Sequence, residues 1–153
     1  MYRGIVVLLL LVLPAACIGV ESHGGAHGAT IMALVGKWYV FWAVGVRLFG
    51  AGIRQVLQPR FTASEIFETD EPKAFGIVRE VGFANLAMGT LGICSLYRPN
   101  WLVPAALTGG LYYGLAGLGH VVRKTRNANE NVAMVSDGFA FVVLAVVVVN
   151  GVL

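Results

Sequence analysis

Apolar residues in this chain come in long unbroken runs, with neither strand-like alternation nor a heptad seam. Five runs, at 5–20, 38–55, 75–97, 101–122 and 132–153, are separated by short polar stretches. A helix needs about 20 apolar residues to cross the hydrocarbon of a bilayer, where every backbone polar group must be satisfied inside its own segment. The pattern therefore predicts an all-α integral membrane helical bundle, a four-helix core plus an N-terminal hydrophobic helix, with five spans in a single domain over residues 1–153. The first run is the shortest. Arg3, Pro14, Ala15 and Ala16 would suit a cleaved signal peptide, whereas tilting or local thinning would let the same run stay as a span. The retained helix is the preferred reading.

Local signals add turns and ends. Lys37, Trp38, Tyr39 and Trp42 form an interfacial anchor at the start of the second span. The Arg98-Pro99-Asn100 sequence predicts a tight turn that makes the third and fourth spans antiparallel neighbours. Within 56–74, Thr62 and Glu65 have capping-box spacing, and Phe61 with Ile66 fits the accompanying hydrophobic staple. A short helix is therefore expected over about 63–69. Its Ile66 and Phe67 would lie on the membrane surface or dock under the bundle, while Glu65, Glu68, Asp70 and Glu71 face water.

Composition agrees with a bilayer setting. Charged residues make up 12% and hydrophobic residues 58%, at a mean hydropathy of +0.77. A soluble domain has about a quarter charged residues, so a separate soluble enzyme domain is excluded. The net charge of +3 is spread between spans, which argues against nucleic acid as a partner. Arg60 and Lys73 fall in one loop and Arg123, Lys124 and Arg126 in another, against only Lys37 and Arg98 on the opposite side. The positive-inside rule then places loops 56–74 and 123–131 in the cytoplasm of a bacterial inner membrane, with the N-terminus inside and the C-terminus outside.

The candidate chemistry is the charge inside the spans. Arg47, Arg54, Glu80, His120 and Asp137 interrupt otherwise apolar sequence, and an ionisable residue at membrane depth is a functional-site hypothesis by default. At about 1.5 Å of rise per residue, all five fall in the cytoplasmic half. Arg47, Arg54 and Gln58 line one side of the second span, with Gly50 and Ala51 between them. Tyr113, Ala116, Gly117 and His120 share a face of the fourth. Gly82, Asn85, Gly89 and Gly92 in the third, and Ala106, Gly110 and Gly114 in the fourth, let backbones approach closely. The expected pairs are Arg47 with Asp137 and Arg54 with Glu80, leaving His120 to titrate near neutrality.

Two ion pairs alone would serve as a bundle lock. Asn85, Tyr112, Tyr113, Ser136 and His120 exceed what a lock requires. The expectation is a polar pocket of Arg47, Arg54, Glu80, Asn85, Tyr113, His120 and Asp137 that binds or transports a small molecule or ion with proton linkage. The alternative is a non-enzymatic accessory or assembly subunit that binds a membrane protein partner or a second copy of itself through Gly110 and Gly114 or the Ile66 and Phe67 helix. A membrane enzyme acting on a lipid or quinone is the third reading, although no catalytic residue, nucleophile elbow or phosphate-binding loop can be assigned. The sequence leaves any cofactor unknown. His23 and His27 lie four apart but in a glycine-rich stretch that disfavours a helix, so no metal site is expected. Cys17 and Cys94 lie near the outer ends of the first and third spans, where a disulfide is geometrically possible and two inert thiols are the simpler expectation.

The strings FWAVGVRLFGAGIRQ, PRFTASEIF, REVGFANLAMG and GGLYYGLAGLGHVVRKTRNANENVAMVSD together resemble an uncharacterised family of small bacterial polytopic membrane proteins, a domain of unknown function. The resemblance covers roughly residues 37 to 145 and includes Arg47, Gln55, Glu80, Asn85, His120, Asn127, Asn129 and Asp137. More loosely the arrangement is similar to the DoxX-like four-helix membrane proteins, which would imply a four-helix core with the first segment as an addition. Neither resemblance implies an activity.

Overall fold

The structure, a computed structural model, describes residues 2–24, 29–123 and 127–152. His27, considered above with His23, and the loop residues Lys124 and Arg126 lie outside the described residues. Among the described residues every regular element is helical. We number the helices α1 (Arg3–His23), α2 (Ile31–Leu57), α3 (Pro59–Phe67), α4 (Pro72–Cys94), α5 (Pro99–Val122) and α6 (Ala128–Gly151). All but α3 are long and apolar enough to cross a membrane.

Several boundaries differ from expectation for local reasons. Helix α2 starts seven residues before Trp38, because Thr30 is extended and its Oγ1 accepts a hydrogen bond from the Ala33 N–H at 3.1 Å. The aromatic anchor therefore sits two turns inside the helix. Helix α4 stops at Cys94 rather than 97: the Leu96 and Tyr97 N–H groups bond three residues back, to Ile93 and Cys94, and Arg98, before Pro99, takes φ −129 and ψ 85.

The expected capping box at Thr62 and Glu65 does not form. Pro59 begins α3 three residues earlier, its fixed φ suiting the first helical position, so Thr62 lies inside the helix and caps nothing. A capping box exists instead at the start of α6. Asn127 Oδ1 accepts from the Asn129 and Glu130 N–H groups at 2.9 and 2.8 Å, and Glu130 Oε2 accepts from the Asn127 N–H at 3.1 Å.

The core is small and tightly filled. Val40, Ala43, Val44 and Leu48 of α2 meet Ala105, Ala106 and Tyr113 of α5 and Ala140, Leu144 and Val147 of α6. Helices α2 and α4 touch along their backbones. A Cβ added at Gly92 would lie 2.5 Å from the Gly45 nitrogen, and one at Gly52 would lie 2.8 Å from the Gly82 oxygen. Gly114 receives the ring of Phe141 from α6. These are surfaces on which only glycine permits the approach.

Two helices contain a wide, π-helical turn, at Leu8–Val12 in α1 and Val40–Val46 in α2. Such a turn frees a carbonyl, and apolar surroundings offer it no water. In α1 the Leu10 carbonyl also lacks its helical donor, because the residue four positions later is Pro14, which has no N–H. In α2 the Arg47 N–H bonds to the Trp42 carbonyl, which leaves Ala43 without its helical donor. Both carbonyls are satisfied by tyrosine: the Tyr39 hydroxyl donates to Leu10 and the Tyr113 hydroxyl donates to Ala43. Removing one of these hydroxyls strands a buried acceptor, so Tyr113→Phe is expected to lower stability by about 1–3 kcal/mol in a detergent unfolding titration. An unchanged midpoint would show that the carbonyl finds another donor.

Candidate functional site

A cavity of about 610 Å³ occupies the α3 end of the bundle, lined by all six helices. The helices run alternately up and down, so this end gathers the start of α1, the end of α2, the start of α4, the end of α5 and the start of α6. That geometry explains why polar residues far apart in sequence converge. Helix α1 contributes Ile5, Val6 and Leu9, and α3 closes the end with Phe61, Thr62, Ile66 and Phe67. Apart from Thr62, the polar lining comes from the other four helices and from Arg123 just past the end of α5.

At the deep end Arg47 is held from three sides. Its Nη2 donates to Asp137 Oδ1 at 2.9 Å and to Ser136 Oγ at 3.0 Å, and its guanidinium stands 4.8 Å from the centre of the Tyr113 ring. The arginine and aspartate side chains are 13% and 9% exposed, so this is a desolvated pair. Ser136 in turn donates to the Ala133 carbonyl. Tyr113 links the pair to the wide turn of α2, since the same side chain faces Arg47 with its ring and Ala43 with its hydroxyl.

A second polar group lies between α2 and α4. Asn85, 1% exposed, donates through Nδ2 to Gln55 Oε1 at 2.8 Å, and Tyr112 neighbours the same amide. Its Oδ1 is buried and accepts no hydrogen bond from the described residues.

Nearer the α3 end, Arg54 lies over the Phe61 ring at 3.6 Å, and Arg123 lies over Phe67. Arg123 also donates to Glu130, an acid whose side chain is 4% exposed and whose Oε1 stands 3.9 Å from His120 Nδ1. Asn127 fastens α3 to this group, its Nδ2 donating to the Glu65 carbonyl at 3.3 Å and to Glu68 Oε1 at 3.0 Å.

The structure thus brings Arg47, Arg54, Asn85, Tyr113, His120 and Asp137 to one cavity and leaves Glu80 outside it. The expected Arg54–Glu80 pair is absent: Glu80 is exposed on the outer face of α4, and Arg54 turns to an aromatic ring instead. Glu80 is about 200° of helical rotation from Gly82, which packs on α2, at about 100° per residue. Glu130 escapes a reading of the apolar runs because it precedes the last of them. Its signal is the asparagine three residues before it, the same capping-box spacing that Thr62 and Glu65 display without forming the box. The two cysteines are free thiols, Cys17 accepting from Trp42 Nε1 at 3.4 Å. Among the described residues no cluster of three metal-ligating side chains occurs.

At the opposite end Glu21 of α1 accepts from Lys37 at 2.7 Å and from Trp38 Nε1 at 2.7 Å, which ties α1 to α2. This pair is farther from the cavity and more exposed than Arg47 and Asp137.

No curated protein and no solved structure matches the chain. One family model does, over residues 3–153. It spans every helix and every cavity-lining side chain, and on that match the chain belongs to a family of unknown function, DUF6790.

Proposed function

We propose that this is an integral protein of a bacterial inner membrane that binds or carries a small anionic molecule in the cavity at its α3 end, with proton linkage. The observation that carries the reading is the lining: Arg47, Arg54, Arg123 and His120 face one cavity in which the only lining carboxylate among the described residues is Asp137. Charge concentrated in an apolar bundle is costly unless something uses it. His120, with Glu130 and Asp137 of α6 and Arg123 just past the end of α5 around it, is the group we assign to proton exchange together with Asp137.

The membrane setting is supported by the outer surface. Leu107, Leu111, Leu115 and Leu118 of α5 are 47–69% exposed, a stripe that water would penalise and lipid would accept. With basic loops inward, the α3 end faces the cytoplasm. Helices α2, α4, α5 and α6 would form the four-helix core that the DoxX-like resemblance implies, with α1 laid against it.

The test is native mass spectrometry of the chain extracted gently from its own membranes, beside Arg54→Gln. Arg54 stacks on Phe61 and, among the described residues, holds no helix in place through an ion pair, so this variant should fold. A bound anion in the wild type, lost from the variant, is the expected result. A second reading, an assembly subunit with a structural charge lock, is favoured by one observation: Arg47 is already engaged by Asp137, Ser136 and Tyr113. A stoichiometric partner protein with an empty cavity would select that reading.

A further inference from the structure

The cavity's walls differ in chemistry, and the difference specifies the occupant more closely than charge alone. This specification rests on the anion site proposed for the same cavity. A volume of about 610 Å³ is within the range for a drug-sized ligand and far beyond what a bare ion fills. One side is largely apolar: α1 offers only Ile5, Val6 and Leu9, and α3 adds Phe61, Ile66 and Phe67 beside a single hydroxyl, that of Thr62. An inorganic anion would leave that wall wetted, at the usual cost per unit of apolar surface left in water. An occupant with an apolar body removes the cost.

The charge count sets the head group. Three arginines, Arg47, Arg54 and Arg123, meet two carboxylates, Asp137 in the lining and Glu130 behind Arg123. Among these five described groups one positive charge remains, and one negative charge on the ligand balances it. Arg54 is the cation best placed for the work, since its neighbour is the Phe61 face rather than a carboxylate.

Asn85 adds a third requirement. Asn85 lines the cavity, and its Oδ1 is buried and accepts nothing from the described residues, although its amide nitrogen is used by Gln55. A buried acceptor left unmet costs about 1–3 kcal/mol, and a donor on the ligand recovers it.

We propose that the occupant is an amphiphilic monoanion bearing a hydroxyl or N–H donor, with its apolar part against α1 and α3, its charge beside Arg54 and its donor on Asn85 Oδ1. Two sources share this chemistry: a membrane lipid whose phosphodiester head carries a free hydroxyl, and a free hydroxylated fatty acid.

The experiment is a binding titration of the full chain by native mass spectrometry, in a neutral detergent after delipidation. The probes are 3-hydroxyoctanoate, octanoate, 1,3-octanediol, acetate and inorganic phosphate. In the wild type, 3-hydroxyoctanoate should form a one-to-one adduct about tenfold tighter than octanoate, the worth of one hydrogen bond. The diol, acetate and phosphate should each be weaker than octanoate. The preference for the hydroxy acid should vanish in Asn85→Ala, while the wild-type comparison stands even if that variant does not fold. Adducts on protein taken before delipidation separate the sources: a mass matching a hydroxyl-bearing phospholipid assigns the lipid, and a mass matching a hydroxy acid assigns the free acid. Equal affinity for octanoate and 3-hydroxyoctanoate would overturn the role of Asn85. Acetate or phosphate binding as tightly as octanoate would overturn the amphiphile while leaving the anion site intact. Equal binding of the diol, or no binding by any of the anions, would overturn both.

Discussion

Replacing Asp137 by leucine is expected to cost about 3–5 kcal/mol of stability, the usual penalty for deleting one member of a buried ion pair. The mechanism is not loss of attraction but abandonment of a charge: Arg47 would keep its guanidinium, 13% exposed, without the carboxylate at 2.9 Å. Ser136 and the Tyr113 ring would remain, neither of them an anion. The double variant Arg47→Met with Asp137→Leu should recover most of the loss, because no charge is then stranded. Unfolding titrations of the two single variants and the double variant in one detergent close the cycle. A double variant as unstable as the single would show that the residues act through packing. The same set of proteins separates the two functional readings: if the double variant is stable and still retains its bound anion, the pair is a lock and the binding work belongs to Arg54 and its neighbours.

Gly89→Ala should be nearly as damaging for an unrelated reason. A Cβ there would stand 2.5 Å from the Phe49 nitrogen and 2.7 Å from its Cα. Backbone atoms cannot rotate aside, so α2 and α4 must separate, and overpacking of this kind costs about 1–3 kcal/mol or more. The seam at Gly45 with Gly92 and at Gly52 with Gly82 opens with it, which puts the effect at about 3 kcal/mol or above. The control is Gly76→Ala on the same helix, where an added Cβ meets nothing within 4 Å. That change should stabilise by up to about 1 kcal/mol through helix propensity. Because Asn85 lies one turn from Gly89 and bonds across the same seam to Gln55, Gly89→Ala should also weaken ligand binding. A Gly89 variant as stable as the Gly76 variant would mean that the two helices slide apart without cost.

Much of the architecture is legible in the amino-acid sequence itself. Hydropathy locates the five long helices because an apolar run of that length has few alternatives. The Arg47–Asp137 pair is readable because both residues lie deep in their runs, with small residues around them. Arg54 and Glu80 show where such reasoning ends. Depth along a helix follows from counting, whereas the direction a side chain faces requires the packed face to be identified, and Glu80 lies off the stripe of Gly82, Asn85, Gly89 and Gly92. Glu130 illustrates the reverse error, since an acid at the edge of an apolar run reads as loop until its capping partner is recognised. The wide turns are barely legible, because only Pro14 hints at one of them. Their tyrosine donors come from other helices, a relation no local pattern encodes.

The Arg47–Asp137 pair also carries a consequence for how the chain is made. The two residues are 90 positions apart. At about 5–20 residues per second, the arginine leaves the ribosome on the order of 5–20 seconds before its carboxylate. Ser136 arrives with the aspartate and Tyr113 some 24 residues earlier, so for most of that interval the arginine of the second helix lacks all three. A chain interrupted before α6 is consequently marked by an Arg47 without its carboxylate deep in an apolar helix, and completion of the last helix is what supplies it.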